Sequence, residues 1–558
     1  VAGKSKAFYI TTPIYYVNDS PHIGHAYTTI ACDVMARFMR LDGAEVKFLT
    51  GTDEHGQKVD KAAAAAGKAP LAFCDEVSQR FRHLVKDPNR TDGGANILNA
   101  SNNDFIRTTE PRHLKACQAL WEKLKESGHI YLDEYDGWYS VRDEAYYAES
   151  ELIEKDGKKL APTGAEVEWV REESYFFQLS VFGKKLLEFY DKNPDFIVPQ
   201  YRMNEVKQFV KSGLQDLSVS RTKFGWGIPV PERKGHVMYV WIDALTNYLT
   251  AVGYPDVNGE EYKKFWAPDD EAKQREEHPE YVRGNAVHVI GKDILRFHAV
   301  YWPAMLMAAN LPLPKQIVAH GWWTIEGEKM SKSLGNVLSP QDMITKAGGV
   351  DQLRYFMLAA MPFGNDGDFA QSRMVENINA DLANNIGNLA QRTLSLIQKN
   401  CDGKVPEFDD LLLDDLDDDD KALLKEVQVT EKSTPAIVRK RYENGEFREV
   451  LDDIKRMGFY ANEYIDKKAP WTKAKTNMAH AHTILYHLAE AVRCIAIMLQ
   501  PFAPSACAKI LVQVGYDEKE ANAGVPFTKL NPEFALKPGT VLPVPQGVFP
   551  RLQVEAKK

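Results

Sequence analysis

Ala7-Phe8-Tyr9-Ile10-Thr11-Thr12-Pro13-Ile14-Tyr15-Tyr16 is dense in β-branched and aromatic residues, the composition of a buried strand. A polar turn follows, Asn18-Asp19-Ser20-Pro21. Ile30, Val34, Phe38 and Leu41 then recur at spacings of four, four and three, which predicts an amphipathic helix ended by Gly43. Val46 to Leu49 reads as the next short strand. Strand, helix and strand within about 45 residues is the size of a βαβ unit and points to a parallel sheet in an α/β domain. The same grammar returns at Ala286–Ile290, which ends in Gly291, and at Gln316–Ala319.

Between these halves the character changes. Ser140 to Val170 is polar and turn-rich, with Gly157, Pro162 and Gly164, and Ser174 to Leu179 is aromatic and strand-like. Residues 117–232 therefore read as an inserted domain, which a surface loop with neighbouring ends tolerates. From 372 the strand pattern stops. Val375, Ile378, Leu382, Ile386 and Leu389 form one apolar stripe, and Leu485, Leu488, Val492, Ile495 and Leu499 form another, so 372–558 is expected to be an α-helical bundle. Asp409 to Asp420 holds eight aspartates among leucines and reads as a solvated acidic loop.

The length, 558 residues, suggests roughly three or four domains at about 150 residues each. With 69 basic and 78 acidic side chains the net charge is −9, which excludes a polycation but allows a local basic face. No apolar run reaches the ~18 residues of a membrane span. The best candidate, Phe297 to Leu313, is broken by Pro303, Asn310 and Pro312. Val1 to Lys6 lacks the apolar core of a signal peptide. The six cysteines (Cys32, Cys74, Cys117, Cys401, Cys494, Cys507) are scattered and read as reduced thiols.

Two motifs carry chemistry. His22-Ile23-Gly24-His25 stands where a strand gives way to a helix, so free backbone N–H groups and the positive helix end make an anion site. Gly24 allows close approach, and two imidazoles one turn apart can donate to phosphoryl oxygens. The plainer reading of His22 and His25 is an N-terminal cap pair. Lys329-Met330-Ser331-Lys332-Ser333, bracketed by Gly327 and Gly335, offers two ammonium groups and two hydroxyls to a triphosphate. Its plainer reading is a solvated basic loop.

With both motifs present, the chain resembles the class I aminoacyl-tRNA synthetases, and within them the methionyl-tRNA synthetase family. That resemblance extends over Pro13-Ile14-Tyr15-Tyr16-Val17-Asn18, Thr50-Gly51-Thr52-Asp53-Glu54-His55-Gly56 and Val240-Trp241-Ile242-Asp243-Ala244. It continues through Gly291-Lys292-Asp293-Ile294, Phe297-His298, Trp302-Pro303, His320-Gly321-Trp322, Asn388-Leu389-Ala390-Gln391-Arg392 and Ala469-Pro470-Trp471. It implies a Rossmann-like catalytic domain in two halves (1–116 and 233–322) around a connective insertion (117–232). A lysine-loop region (323–371) and an all-α anticodon-binding domain (372–558) would follow.

The resemblance further implies ligation of L-methionine to tRNA(Met) through a methionyl-adenylate, with ATP and Mg²⁺ as the substrate complex. By the family pattern His22, His25, Lys329 and Lys332 are catalytic. Gly24, Gly291, Asp293, His320, Gly321, Trp322 and Lys332 would bind ATP, although Asp293 also reads as a helix N-cap. Ile14, Tyr16, Asp53, Trp241, Ala244, Leu245, Tyr248, Ile294, His298 and Trp302 would bind methionine, with Asp53 on its ammonium. Taken one at a time, those aromatics also fit a packed core. Asn388, Arg392 and Trp471 would read the anticodon; alone, they read as a polar patch beside one packed tryptophan.

Family members commonly hold zinc on paired cysteines in the insertion, but none occurs from 118 to 400, and Leu160-Ala161-Pro162-Thr163-Gly164 stands there instead. No structural zinc, and no other protein-bound metal, is expected. Trp169, Tyr175 and Phe176 are the candidates for holding the insertion by packing. A monomer in the cytoplasm is expected, with an organellar pool left open, and neither DNA nor a membrane as partner. The alternatives are another class I synthetase, or an inactive synthetase-like RNA-binding scaffold.

Overall fold

The computed structural model describes residues 7–17, 20–88, 95–325, 328–329, 337–407, 417–427 and 433–553. The chain divides into two compact units, one built from Ala7–Pro21 and Val46–His320, the other containing His22–Glu45 and the residues from Gly321 onward.

The first unit is organised by a seven-stranded sheet in the order Ile197–Val198, Gln316–His320, Ala286–Gly291, Ala7–Thr11, Glu45–Asp53 and Tyr15–Tyr16, with Asp104–Arg107 also paired to Glu45–Asp53. Its registered pairs run parallel: Tyr9 lies opposite Ala286, Val289 opposite Val318, and Thr52 opposite Arg107. Phe8 to Thr11 are buried without alternation, the mark of a strand covered on both faces. The carboxyl ends of these strands carry Asp53, Gly291 and His320, where open α/β sheets place their ligands.

A second, antiparallel sheet runs Leu217–Ser218, Glu168–Phe177, Ile130–Ser140, Ala145–Tyr147. It shares one continuous core with the parallel sheet, in which Tyr139, Val170 and Phe177 join Tyr9, Leu49 and Trp302. The boundary expected at 117 is corrected here. Helix Pro111–Glu126 runs through it, with Cys117, Leu120 and Trp121 buried, so the antiparallel layer begins at Ile130. Tyr175 is buried and Phe176 stacks on Tyr131 at 5.6 Å, as packing residues should. Trp169 is not one of them: it is 53 % exposed, edge-on to Trp138. Its position on the strand points it to the solvent face.

Where zinc-binding relatives would need thiolates, the tip closes on its own backbone. The Ala161 N–H donates to the Ala165 carbonyl, and the Gly164 N–H to the Ala161 carbonyl, both at 2.8 Å. With no cysteine there, a thiolate zinc site does not fit this segment.

In the second unit, helix Ile23–Leu41 accompanies the helices that follow residue 340. The predicted stripe Val375, Ile378, Leu382, Ile386, Leu389 is buried. The backbone there is nevertheless not a single α-helix. It widens to i→i+5 bonding over Ile378–Gly387 between helices Gln371–Asn377 and Asn388–Asn400, a change the apolar spacing does not reveal. Phe38 stacks on Tyr442 at 4.5 Å.

Among the described residues, Met478–Leu499, rather than the segment 297–313, is the helix that by length and composition could cross a membrane. Nearly all of it is buried within the protein, as the core helix of a bundle would be. All six cysteines are free, five of them buried. Most of the acidic run, 408–416, lies outside the described residues. Its end departs from a solvated loop: Asp420 is buried in helix Asp418–Val427, accepting from the Tyr464 hydroxyl at 2.6 Å and the Lys468 ammonium at 2.9 Å.

Candidate active site

Asp53 ends its strand 5 % exposed, and its Oδ1 has no hydrogen-bond partner among the described residues. The backbone dipole of His55 favours the ionised carboxylate. Burial, reinforced by the charges of Asp243 and Glu144, holds this carboxyl well above the usual aspartate range. A carboxyl so placed gains most by ionising against a cation, and both the burial and the neighbouring negative charges favour that pairing.

The turn behind it is pinned residue by residue. Glu54 accepts two bonds from the Arg107 guanidinium at 2.7 and 2.9 Å, and one from the Thr52 hydroxyl at 2.8 Å. The Trp226 indole donates to the Glu54 carbonyl at 2.6 Å, and the Gly56 N–H returns a bond to the Trp226 carbonyl at 3.1 Å. The Tyr16 hydroxyl lies 2.8 Å from the His55 carbonyl and 3.0 Å from Glu144 Oε1. Gly56 has φ 101° and ψ 167°, a region open essentially to glycine alone. An added Cβ would lie 2.5 Å from the Tyr16 hydroxyl. Gly56→Ala is therefore expected to cost about 2 kcal/mol of stability, read as a lowered melting temperature; an unchanged melt would mean that the turn absorbs the clash with Tyr16.

The aromatic wall lies in the same unit. Trp241, Leu245 and Tyr248 share a face of helix Val240–Thr250 through their four- and three-residue spacing. Trp241 stacks on Phe297 at 3.8 Å and meets the His298 ring edge-on at 6.0 Å. The Tyr248 hydroxyl and His298 Nε2 are 2.7 Å apart, while His298 Nδ1 faces the Ile294 carbonyl at 3.0 Å. This fixes a neutral ring that donates from Nδ1 and accepts at Nε2, in keeping with burial lowering its pKa to about 4. Trp302 is wholly buried, its ring centre 6.3 Å from that of Tyr248; Ala244 is buried, and Ile14, Tyr16 and Ile294 are half-buried. Trp241 Nε1 and Trp302 Nε1 have no hydrogen-bond partner among the described residues.

Gly291 ends its strand opposite His320, which is also buried. An added Cβ at Gly291 would meet the Asp293 carboxylate at 2.5 Å. Asp293 is exposed and lies inside the helical turn Lys292–Ile294, so its alternative reading as an N-cap is corrected: Gly291 holds that position.

In the other unit His22 is the N-cap of helix Ile23–Leu41. Its Nδ1 accepts from the Gly24 N–H, and His25 Nδ1 accepts from the His22 N–H, both at 3.1 Å. The cap reading is thus correct, and it leaves the ring protons on the Nε2 atoms. Burial, then the neighbouring His22, lowers the His25 pKa well below the usual histidine range. At Gly24 an added Cβ would meet, among the described residues, the His22 ring alone, at 2.9 Å. At Gly321 no side chain fits: a Cβ would stand 2.2 Å from the Asn365 carbonyl oxygen. The Trp322 N–H donates to Asp366 at 2.8 Å. Lys329 belongs to the two-residue strand Glu328–Lys329, and Lys332 lies outside the described residues.

Asn388 and Arg392 project from one helix to Asn462 and Asp466, which are likewise four residues apart on helix Phe447–Lys468. Trp471, 41 % exposed, follows the left-handed Ala469 and Pro470. Sequence reasoning assigned no role to Glu144 or to the buried His113 and Asp243. Their bonds join distant segments, which no local spacing marks.

A family model described as tRNA synthetases class I (M) matches residues 8–394, and one described as the anticodon binding domain of methionyl tRNA ligase matches 415–558. The methionine--tRNA ligase of Rickettsia bellii is 52 % identical over 98 % of this chain and 100 % of its own length. That of Mesorhizobium japonicum is 47 % identical, over 98 % and 97 %. The structure of Mycobacterium tuberculosis methionyl-tRNA synthetase in complex with methionyl-adenylate superposes with a TM-score of 0.88 at 45 % identity, covering 98 % of this chain and 100 % of that one. Together with the parallel sheet and the helical C-terminal part, these matches make this chain a member of the class I methionyl-tRNA synthetase family.

Proposed function

We propose that the chain ligates L-methionine to tRNA(Met), consuming ATP and passing through methionyl-adenylate. The observation that carries this reading is the buried Asp53 oxygen, without a hydrogen-bond partner among the described residues, at a strand's carboxyl end in the unit that also holds the Trp241–Tyr248–His298–Trp302 wall. Asp53 pairs with the substrate ammonium, a charge-assisted contact. The aromatic edges suit a thioether, at roughly 0.3–1.5 kcal/mol per contact. Ile14, Tyr16, Ala244, Leu245 and Ile294 complete the methionine residues.

The methionine carboxylate attacks the α-phosphorus of ATP, an O–P bond forms, and pyrophosphate leaves. The nucleophile is already an anion, so the protein's task is positioning and charge stabilisation. His22 and His25, neutral and donating from Nε2, serve the phosphates with Lys329 and Lys332; Gly24 permits the approach. Gly291 and Asp293 take the ribose, and His320, Gly321 and Trp322 the adenine. Mg²⁺ would supply charge neutralisation on the phosphates. A ribose hydroxyl of the terminal tRNA adenosine then attacks the adenylate carbonyl, releasing AMP.

Asn388, Arg392 and Trp471 read the anticodon: Arg392 forks to a base edge and Trp471 stacks on an unstacked base. A monomer acting in the cytoplasm, without zinc or another protein-bound metal, completes the proposal. Pyrophosphate exchange into ATP tests the activity. Exchange that needs methionine and ignores leucine and isoleucine is expected; none with folded protein would favour a scaffold. Trp471→Ala should leave that exchange intact and slow tRNA charging about tenfold, from the ~1–3 kcal/mol of one lost base stack. Equal losses in both assays would place the defect in folding.

A further inference from the structure

Behind the methionine residues lies a buried polar chain that takes no part in the reaction steps. Asp243 is wholly buried in the first turn of helix Val240–Thr250, where the helix dipole favours an anion. Its Oδ2 is 2.7 Å from His55 Nδ1, and its Oδ1 is 2.7 Å from His113 Nε2. His113 Nδ1 in turn meets the hydroxyl of Thr250, on the same helix as Asp243, at 2.9 Å. Both carboxylate oxygens are thus occupied by imidazoles from two other segments, the Asp53–Gly56 turn and helix Pro111–Glu126. Cys117, 3.2 Å from His113 Nε2, is a packing neighbour, since burial pushes its thiol well above the usual range.

We propose that Asp243, acting through His55, is a positioning residue that sets the Asp53 carboxylate for the substrate ammonium. The connection is short and directional. Asp243 grips the His55 ring, the Tyr16 hydroxyl holds the His55 carbonyl at 2.8 Å, and two residues earlier in the same turn Asp53 Oδ1 is buried with no hydrogen-bond partner among the described residues. A turn holding an unsatisfied buried oxygen will relax to satisfy it unless its neighbours over-determine the conformation. Glu54 and Gly56 are each pinned from outside the turn, and Asp243 supplies the corresponding anchor for His55. The same helix carries Trp241 and Tyr248 two residues before and five after Asp243. The His55–Asp243 bond therefore also fixes the ammonium receptor relative to the aromatic wall, and so the length of side chain that spans them.

This inference rests on the reading of Asp53 as the ammonium receptor, and its test separates the two. Methionine affinity is measured by titrating tryptophan fluorescence, and the methionine and ATP KM values by pyrophosphate exchange. The proteins compared are the full chain, Asp243→Asn, His55→Ala, His55→Gln, Asp53→Asn and the double variant Asp53→Asn/Asp243→Asn. Asp243→Asn and His55→Ala should each weaken methionine about ten- to a hundredfold, the worth of one hydrogen bond to a charged group, with the ATP KM unchanged. His55→Gln, which can still donate to Asp243, should recover part of that loss. In the Asp53→Asn background Asp243→Asn should add less than about twofold, because the group it positions is gone.

The full loss persisting in that background, or no loss in either single variant, would overturn the positioning role. Asp53→Asn binding methionine as well as the parent would instead overturn the ammonium reading, and the inference with it. If Asp243→Asn does not fold, His55→Ala made alone and together with Asp53→Asn gives the same decision.

Discussion

Asp53→Asn should raise the methionine KM by roughly 10²–10³-fold, the equivalent of about 3–4 kcal/mol for stripping one partner from a desolvated charge pair. The ammonium does not react, so the contact is equally strong in the ground state and in the transition state. Its loss therefore falls on binding rather than on kcat. Pyrophosphate exchange at saturating ATP, with methionine varied, measures the split. A variant that lost kcat at unchanged methionine KM would place Asp53 on the reacting atoms instead.

The same carboxyl makes a statement about pH. Burial first, then the charges of Asp243, Glu144 and Glu54, raise its pKa, while the backbone dipole of His55 lowers it. Only the ionised form pairs with an ammonium, so methionine binding expels the proton wherever the free protein still carries it. Methionine affinity should thus fall as pH is lowered, beginning at a higher pH than an ordinary aspartate would set. Asp53→Asn should abolish the dependence. A raised carboxyl pKa also costs native stability as pH rises from the unfolded value to the folded one. Methionine should relieve that cost, so its stabilising effect in a thermal melt should be larger at neutral than at acid pH.

The parts of this chain that a reader of the sequence can see are those in which neighbours in sequence do the work. The strand–helix–strand at the start was legible because Phe8 to Thr11 are all aromatic or β-branched and Ile30, Val34 and Phe38 keep a helical period. The cap geometry of His22 and His25 was legible because an N-cap and its third following residue are always within reach. The widened backbone over 378–387 was not, since a five-residue bond leaves the apolar stripe in place. The continuation of helix Pro111–Glu126 past 116 was legible, although the expected boundary does not follow it: Cys117, Leu120, Trp121 and Leu124 keep a helical spacing beyond that point. The residues proposed to bind methionine were recognisable only as a family pattern: Trp241, His298 and Trp302 have no spacing that distinguishes a pocket wall from a core. Least legible was the His55–Asp243–His113 chain, whose bonds span 188 and 130 residues. A buried ion pair in the helical unit was equally hidden, joining Asp33 of the first helix to Arg354, and it carries the largest expected effect on stability.

Arg354 and Asp33 are both fully buried, with Nη2 and Oδ2 2.7 Å apart. The guanidinium also donates to the carbonyls of Phe502 at 2.9 Å and Pro501 at 2.8 Å, and Arg37 reaches the same Asp33 oxygen at 2.7 Å. Burial lowers the Arg354 pKa, with Asp33 opposing that shift, which marks a cation kept charged by its partner. Arg354→Met keeps the volume but removes the donors. Asp33 retains Arg37, so the carboxylate is not left wholly unpaired; the two carbonyls are. The expected cost is about 3–5 kcal/mol, which at roughly 2–4 °C per kcal/mol for a unit of this size lowers its melting temperature by about 10 °C. Asp33→Leu in the same chain removes the remaining buried charge. Because an apolar pair of similar volume often matches a buried ion pair in stability, the double variant should recover part of the loss. A double variant less stable than Arg354→Met would mean that the Arg37–Asp33 bond, rather than the pair with Arg354, holds the helix that begins at His22.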